Sequence, residues 1–161
     1  MTVRPIRLLG DPVLRTACDP VTGYGPDLAR LVDDLIDTVR EPGRAGLAAN
    51  QIGVSLAVFA YNVDGQLGYV INPVLAVGDS EEDGPEGCLS IPGVTALRRR
   101  ATRATVTGTD LKGDRVTVSG DGELARALQH ETGHLRGELF IDGLDRRERA
   151  QILREFRDRA S

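Results

Sequence analysis

The sequence predicts a single domain in which helices and strands are mixed. Three stretches space their apolar residues three or four positions apart, as amphipathic helices do. These stretches are residues 26–40, about 120–137 and 145–160. Between the first two, several shorter runs are rich in β-forming residues, and the last run alternates apolar and polar residues as a hairpin does. Because 161 residues can bury one core and no repeat or linker divides them, we expect one domain over residues 1–161.

Residues 1–25 predict an irregular arm, and a helix follows it. Glycines and prolines interrupt the apolar residues of the arm, so we expect at most a single helical turn there. In residues 26–40, Pro26 suits a first helical turn, and Pro42-Gly43 ends the helix. The buried face of this helix is predicted to comprise Leu28, Leu31, Val32, Leu35, Ile36 and Val39.

Residues 46–53 crowd small side chains together, which lets the backbone approach a neighbouring element or a ligand closely. Gln51 places an amide in this stretch and needs a partner if it is buried. The local pattern fits a tight packing corner and a ligand site equally well. Residues 56–60 and 69–77 then predict strands, and Asn72-Pro73 within the second indicates an edge or a bend.

Two charged stretches and a hairpin complete the middle of the chain. The acidic residues 78–82 are typical of a solvated connection. The arginines at 98–100 and 103 are typical of a solvated face. Residues 104–119 predict a hairpin around a Lys-Gly-Asp turn.

The strongest chemical signal is a pair of histidines four residues apart, the only two in the chain. On a helix, His130 and His134 lie on one face and can hold one metal ion, with Glu131 beside them to take a proton from the attacking water. Asp121 or Ser119 can cap this helix. A catalytic metal needs three protein ligands and an open position, so the pattern predicts a metal hydrolase with one further ligand.

The third ligand cannot be another histidine. The candidates are Cys88 and a downstream carboxylate such as Glu148 or Glu155. A thiolate binds divalent metals strongly, and Gly87 lets the chain pass close to the ion, so the chemistry favours Cys88. The other cysteine, Cys18, has no chemical neighbour of interest and is interpreted as a small buried filler.

Composition narrows the expected location and partners. The net charge of −4 argues against non-specific binding to nucleic acid. No apolar run reaches the roughly 18 residues that span a membrane, and residues 1–5 lack the apolar core of a signal peptide. We therefore expect a cytoplasmic protein with reduced cysteines, no direct nucleic-acid specificity and no membrane partner.

Three stretches together resemble the ordered motifs of bacterial peptide deformylases: residues 46–51 (GLAANQ), 86–90 (EGCLS) and 129–134 (QHETGH). Residues 9–14 and 71–73 are also similar to that family, and the similarity covers nearly the whole chain. The resemblance implies an α+β fold in which small antiparallel sheets pack around a central metal-binding helix, with an N-terminal helix and a C-terminal amphipathic helix. It also implies removal of the formyl group from the N-terminal formyl-methionine of newly made polypeptides, with release of formate.

The resemblance implies a role for each matching residue. The implied metal ligands are Cys88, His130 and His134. Glu131 would move protons, and the side chain of Gln51 with the backbone N–H of Leu89 would hold the developing oxyanion. The implied substrate contacts are Gly46, Leu47, Glu86, Gly87, Arg100 and Leu128. Among these, the cleft near Gly46, Leu47 and Leu128 would seat the methionine side chain.

The implied cofactor is one divalent ion per chain. Fe²⁺ is expected in the cell, with Zn²⁺, Ni²⁺ or Co²⁺ as alternatives in the purified protein. The implied partners are N-formyl-methionyl nascent peptides and the ribosome near its exit tunnel, reached through the C-terminal helix. That helix carries Arg146, Arg147, Arg149, Arg154, Arg157 and Arg159. The alternative to a docking surface is a helix whose arginines only face solvent, because acidic residues partly neutralise their charge.

Two positions depart from the family's motifs. Arg44 stands where the first motif usually begins with glycine, so we expect a reshaped entrance to the cleft. Gly133 stands where the third motif often has aspartate. Two other hypotheses stay open: a metallopeptidase with a glutamate as third ligand, and a divergent, inactive relative that only binds N-terminal peptides.

Overall fold

The computed structural model describes residues 2–160, which form three helices and two antiparallel sheets. The helices are α1 (Pro26–Val39), α2 (Gly122–Leu135) and α3 (Arg146–Ala160). The strands are β1 (Gly46–Ala48), β2 (Val58–Val63), β3 (Gln66–Val77), β4 (Glu81–Cys88), β5 (Ile91–Ala101), β6 (Arg103–Thr109) and β7 (Arg115–Asp121). One sheet has the order β1-β2-β3-β6-β7, and β4 pairs with β5 in the other. Because α2 contacts strands of both sheets, the implied α+β fold around a central helix is confirmed.

Helix α1 confirms the amphipathic pattern of residues 26–40. Pro26 occupies the first turn, where its missing N–H costs no helical hydrogen bond. Leu35 and Val39 are fully buried and pack in one cluster with Val58 of β2 and Ile71 of β3. The helix therefore covers one face of the large sheet.

Two hairpins build most of that sheet. The hairpin predicted at residues 104–119 is confirmed as β6–β7, in which Val106 pairs with Val118. In β2–β3, Val63 pairs with Gln66, so two residues form the turn. These are Asp64 and Gly65, with φ of 49° and 80°, the positive values that a tight hairpin turn requires.

Strand β3 bends at Asn72, where its register against β6 shifts between Ile71 and Val74. The sequence predicts either a bend or a sheet edge at Asn72-Pro73. The bend is confirmed, and the edge is wrong because β3 lies between β2 and β6. Asn72 adopts φ 53°, a left-handed conformation that asparagine tolerates better than most residues. Its side chain accepts a hydrogen bond from the N–H of Val21 (2.8 Å) and donates one to the Val21 C=O (3.0 Å). The bulge thus fastens the N-terminal arm to the sheet.

The second sheet corrects both predictions about the charged stretches. Residues 78–82 are only partly a connection, because Glu81 already begins β4. Alternate residues of a strand point to opposite faces, so Arg99 faces solvent and pairs with Asp83 across the hairpin (3.7 Å). Arg98 and Arg100, in contrast, point inward and are partly buried. Because residues 98–100 are all arginines, the sequence does not display this alternation of inward and outward positions.

Helix α2 runs through the middle of the molecule. Leu128 and Ala125 are fully buried against Phe59 and Val70 of the large sheet. Asp121 is the N-cap residue, but its side chain makes no capping hydrogen bond. Gln129 joins the helix to β5, since its amide accepts from the N–H of Ala101 (3.1 Å) and donates to the Ala101 C=O (2.9 Å).

Helix α3 confirms the amphipathic pattern of residues 145–160. Ile152, Leu153 and Phe156 pack against a third apolar cluster that includes Ile91 and Phe140. Before the helix, residues Phe140–Gly143 form a short 3₁₀ turn. Within residues 2–160, none of the helices combines the length and apolar character that crossing a bilayer requires.

We predict that replacing Asn72 separates its hydrogen bonds from its backbone conformation. Asn72→Ala removes both bonds to Val21 and strains the left-handed backbone, so unfolding free energy should fall by about 2–3 kcal/mol. Asn72→Gly relieves the strain and should cost only about 1–2 kcal/mol. Denaturant unfolding measures both, with Val74→Ala at a 69% exposed position as the control, expected within about 0.5 kcal/mol of the wild type. Equal losses for the two Asn72 variants would remove strain from the explanation.

Candidate active site

The two histidines of α2 and the cysteine that ends β4 bring their ligand atoms together. The Sγ atom of Cys88 lies 3.3 Å from Nε2 of His134, which in turn lies 3.1 Å from Nε2 of His130. All three ligand atoms lie within 4.8 Å of one another. The i, i+4 spacing places both imidazoles on one face of α2, and the end of β4 brings the thiol to them.

This group of side chains fits a divalent transition metal. One thiolate and two imidazole nitrogens match a catalytic site that keeps one position open. Burial lowers the pKa of His134 well below its usual range, which keeps the ring in the neutral form that binds a metal. Glu148 and Glu155 lie on α3 with exposed side chains and are not part of the group. The geometry therefore does not favour a metallopeptidase with a glutamate as third ligand.

A buried carboxylate orients His130 from behind. Oε2 of Glu86 lies 2.7 Å from Nδ1 of His130, which leaves Nε2 directed toward the cysteine and the second histidine. Arg100 donates two hydrogen bonds to the same carboxylate, at 3.0 and 2.7 Å. Burial alone would raise the pKa of Glu86, but the hydrogen bonds from His130 and Arg100 lower it far below its usual range. The carboxylate stays ionised and fixes the orientation of the ring.

Arg126 is a second cation on Glu86 that the sequence analysis missed. Its Nη1 donates to Oε1 of Glu86 (3.1 Å) and to the C=O of Arg98 (2.6 Å). Gly84 makes room for it, since a Cβ at Gly84 would lie 2.7 Å from Nη2 of Arg126. A signal was present, because Arg126 precedes His130 by four residues and so shares its helix face.

Glu131 is almost completely buried, at 3% exposure, yet it opens onto the site. Its Oε2 lies 3.9 Å from Nε2 of His130, and its Oε1 has no hydrogen-bond partner among residues 2–160. Burial raises the pKa of Glu131 to about 7, whereas a cation at the neighbouring ligands would lower it. Gly46 is essential to this packing, since a Cβ there would lie 2.6 Å from Oε2 of Glu131.

Gln51 occupies the short 3₁₀ turn Ala49–Ile52 and has a defined amide orientation. Its Oε1 accepts a hydrogen bond from the N–H of Ala48 (2.9 Å), so the amide N–H₂ points the other way. There it donates to Oγ of Ser90 (3.1 Å) and lies 3.8 Å from Sγ of Cys88. The two alternatives for this stretch are a packing corner with a satisfied amide and a ligand site. The Gln51 amide has features of both, because it is hydrogen-bonded and also points toward the metal ligands.

The site borders a cavity of about 610 Å³. Glu131, His130 and Cys88 lie on its wall beside Gln51 and Leu89. Its apolar lining comes from Ile6, Ala45, Pro85, Pro92, Val94 and Ala127. Such a cavity can hold an apolar side chain next to the reactive groups.

The residues assigned to substrate contact fall into two groups, those that line the cavity and those that do not. Gly46, Glu86 and Gly87 line the cavity. Leu47 and Leu128 do not, because both are fully buried in the core, in two different apolar clusters. Arg100 lies behind Glu86 and outside the walls of this cavity, so its position does not support direct contact with a peptide.

Comparison with known proteins agrees with this geometry. The model of the polypeptide deformylase family matches residues 3–150. The chain is 50% identical over 158 residues to a peptide deformylase from Acidothermus cellulolyticus, covering 98% of this chain and 88% of that one. It is 52% identical over 160 residues to a peptide deformylase from Parafrankia sp., covering 98% and 87%.

Solved structures show the same similarity. The crystal structure of a peptide deformylase from Legionella pneumophila matches with a TM-score of 0.92 at 35% identity, covering 98% of this chain and 95% of that one. A peptide deformylase from Ehrlichia chaffeensis in complex with actinonin matches with a TM-score of 0.91 at 30% identity, covering 99% and 98%. The chain therefore belongs to the polypeptide deformylase family, metal-dependent hydrolases that remove the N-formyl group from newly made polypeptides.

Proposed function

We propose that Cys88, His130 and His134 hold one divalent ion in this chain and that Glu131 transfers protons during hydrolysis of N-formyl-methionyl peptides. One observation carries the proposal: three ligand atoms within 4.8 Å of one another lie beside a buried carboxylate on the wall of an open cavity. The intact carboxylate and ligand set argue against an inactive relative that only binds peptides.

The residues divide the reaction between them. A divalent ion at this site would supply a Lewis acid that activates water and polarises the formyl oxygen. Glu131 takes a proton from the attacking water and gives it to the departing amine, because its carboxylate lies on the cavity wall beside the metal ligands. The Gln51 amide and the Leu89 N–H donate hydrogen bonds to the oxygen of the tetrahedral intermediate. One water is consumed, and formate and a free amino terminus are released.

The side chain of the first substrate residue enters the cavity past Gly46 and Gly87, which leave the passage open. Ala127 and Val94 offer it apolar contact. Leu47 and Leu128 support this surface from the core rather than touching the substrate. A flexible thioether chain suits such a wall of small apolar groups.

Fe²⁺ is the proposed ion in the cell. A thiolate gives more charge to the metal than a third imidazole would, which weakens the ion as a Lewis acid, and the family's usual ion is ferrous iron. The iron form should be sensitive to air, because oxygen can oxidise both ferrous iron and the bound thiolate, and oxidation of Cys88 would remove a ligand. Zinc, nickel and cobalt would occupy the same ligands without that sensitivity.

Residues 1–161 are proposed to act as one catalytic domain in the cytoplasm, where polypeptides are made. The ribosome is the proposed partner, met through α3. The apolar side of α3 packs on the core, whereas Arg146, Arg147 and Arg154 are exposed. A cationic face of this kind is complementary to a polyanionic partner.

Glu131→Ala should keep the metal and lose most turnover. Because a general acid–base group contributes about 10²–10⁴ in rate, kcat for a formyl-methionyl peptide should fall by that factor. Formate release and metal content are measured on the same sample, with Glu138→Ala as the matched control on a carboxylate outside the active-site cavity. Near-full activity, or loss of the metal, would contradict the assigned role.

Cys88→Ala should lower metal content sharply. Changes behind a ligand already cost about 10–100-fold in metal affinity, so loss of the ligand itself should cost more. Glu148→Ala and Glu155→Ala should leave the content at one ion per chain. Elemental analysis after anaerobic purification measures both the stoichiometry and the identity of the metal. The reverse pattern would assign the third ligand to α3 and exclude Cys88.

Neutralising the exposed arginines of α3 should weaken ribosome binding. A triple variant, Arg146→Gln with Arg147→Gln and Arg154→Gln, avoids truncation, which would remove Ile152 and Phe156 from the core. Co-sedimentation at low salt should fall about three- to tenfold, and the difference should shrink as salt rises.

The matched control neutralises three exposed arginines elsewhere, at positions 30, 103 and 115. It removes the same charge and should leave binding close to the wild type. Equal loss in both variants would indicate a non-specific effect of net charge, and no loss in either would remove α3 as the docking surface.

A further inference from the structure

The cavity wall carries charged side chains that the proposed reaction does not use. Arg126 is one of them, but it is paired with Glu86 at 3.1 Å. Arg44 and Glu123 also line the cavity, and neither forms an ion pair within residues 2–160. These two are the charged side chains that a substrate meets with no ion-pair partner among the described residues.

Arg44 is anchored where it stands. Its Nη1 donates a hydrogen bond to the C=O of Thr38 (2.8 Å), in the last turn of α1. The carbonyl end of a helix carries a partial negative charge, which holds a guanidinium there. The remaining N–H groups of Arg44 form no hydrogen bond with any residue that the structure describes, so they are available to a ligand.

The distance of Arg44 from the reacting groups corresponds to a short length of peptide. Gly46 packs directly on Glu131, as its missing Cβ shows. Arg44 precedes Gly46 by two residues and lines the same cavity, so their Cα atoms lie at most about 7 Å apart. The second and third residues of a formylated peptide reach the same distance when the formyl carbon is at Glu131.

The edge position of β1 gives the peptide a path toward Arg44. Strand β1 pairs with β2 on one side only and ends the sheet on the other. An open strand edge can pair with an extended peptide through backbone hydrogen bonds. A peptide bound along β1 and the residues before it would therefore run from Gly46 toward Arg44.

Glu123 lies farther from the reaction. It precedes Glu131 by eight residues on α2, and a helix rises about 1.5 Å per residue, so the two are separated by about 12 Å along the axis. The backbone of the third substrate residue lies about 10 Å from the formyl carbon and stops short of that distance. The uncompensated charge nearest to the second and third residues is thus the positive one.

We infer that Arg44 is a specificity-determining residue that favours formyl-methionyl peptides with acidic side chains at the second and third positions. The inference rests on the proposed function, because the peptide must enter with its formyl group first. A guanidinium–carboxylate contact this far from the reacting atoms is the same in the bound ground state and in the transition state. It should therefore lower KM and leave kcat unchanged.

The test compares formyl-Met-Glu-Glu-amide with formyl-Met-Gln-Gln-amide, which has nearly the same shape without the charge. The amidated C-terminus removes the free carboxylate of the peptide. With the metal-loaded enzyme, KM should be about two- to fivefold lower for the acidic peptide, the range expected for an exposed ion pair. The ratio should approach one in high salt, which screens such pairs.

Variants assign this ratio to Arg44. In Arg44→Gln the ratio of the two KM values should be one, and Arg44→Lys should keep part of the preference because it keeps the charge. Glu123→Gln, the matched control on the other uncompensated charge, should not lower the preference. Each ratio is measured on a single enzyme sample, so differences in folding or metal loading between variants cancel.

Two outcomes overturn the inference: equal KM values in the wild type, or a preference that survives in Arg44→Gln. Failure of the metal-loaded wild type to hydrolyse either peptide would instead reject the proposed function. The two failures are therefore distinguishable in the same experiment.

Discussion

The buried carboxylate of Glu86 is the point on which the rest of the site depends. It accepts hydrogen bonds from Arg100 on the paired strand and from His130 and Arg126 on the central helix. A carboxylate removed from water in this way would be costly if any of these partners were missing. Because the same strand ends two residues later at Cys88, the contact also decides where the thiol lies relative to the histidines.

A second connection joins the other side of the site to the same helix. Asn50 donates a hydrogen bond from Nδ2 to the C=O of His134 (2.6 Å), and Gln51 follows it in the same short turn. The turn that carries the group assigned to the oxyanion is thus bonded to the backbone of a residue that supplies a metal ligand. Small residues let these elements approach closely, and Gly46 shows how little space remains. The reactive groups are held by backbone and buried contacts, while only the cavity side is open to water.

Much of this arrangement could be predicted from the sequence, and each failure has its own physical reason. The histidine pair and the amphipathic helices depend on local spacing, which one sequence displays directly. Whether Arg100 faces water or Glu86 depends on how β4 and β5 pair, because inward and outward residues alternate along the hairpin. The many charged residues of these strands hide that alternation in the sequence. Leu47 and Leu128 adjoin residues of the site in sequence, but neighbouring positions on a strand or helix point in different directions. Arg126 was missed because it lies outside every motif, although its helix position shared a face with His130.

The position of the cysteine has a consequence for the stability of the whole chain. Cys88 and His134 are 46 residues apart in sequence, and one ion held by both would act as a crosslink that closes this loop. Unlike a disulfide, such a link is lost when the chain unfolds, because the ligands come together only in the folded form. An ion that binds only the folded form adds its binding free energy to that of folding. Scarcity of metal would therefore lower the amount of active protein in two ways. Fewer molecules would carry an ion, and the molecules without an ion would be lost faster.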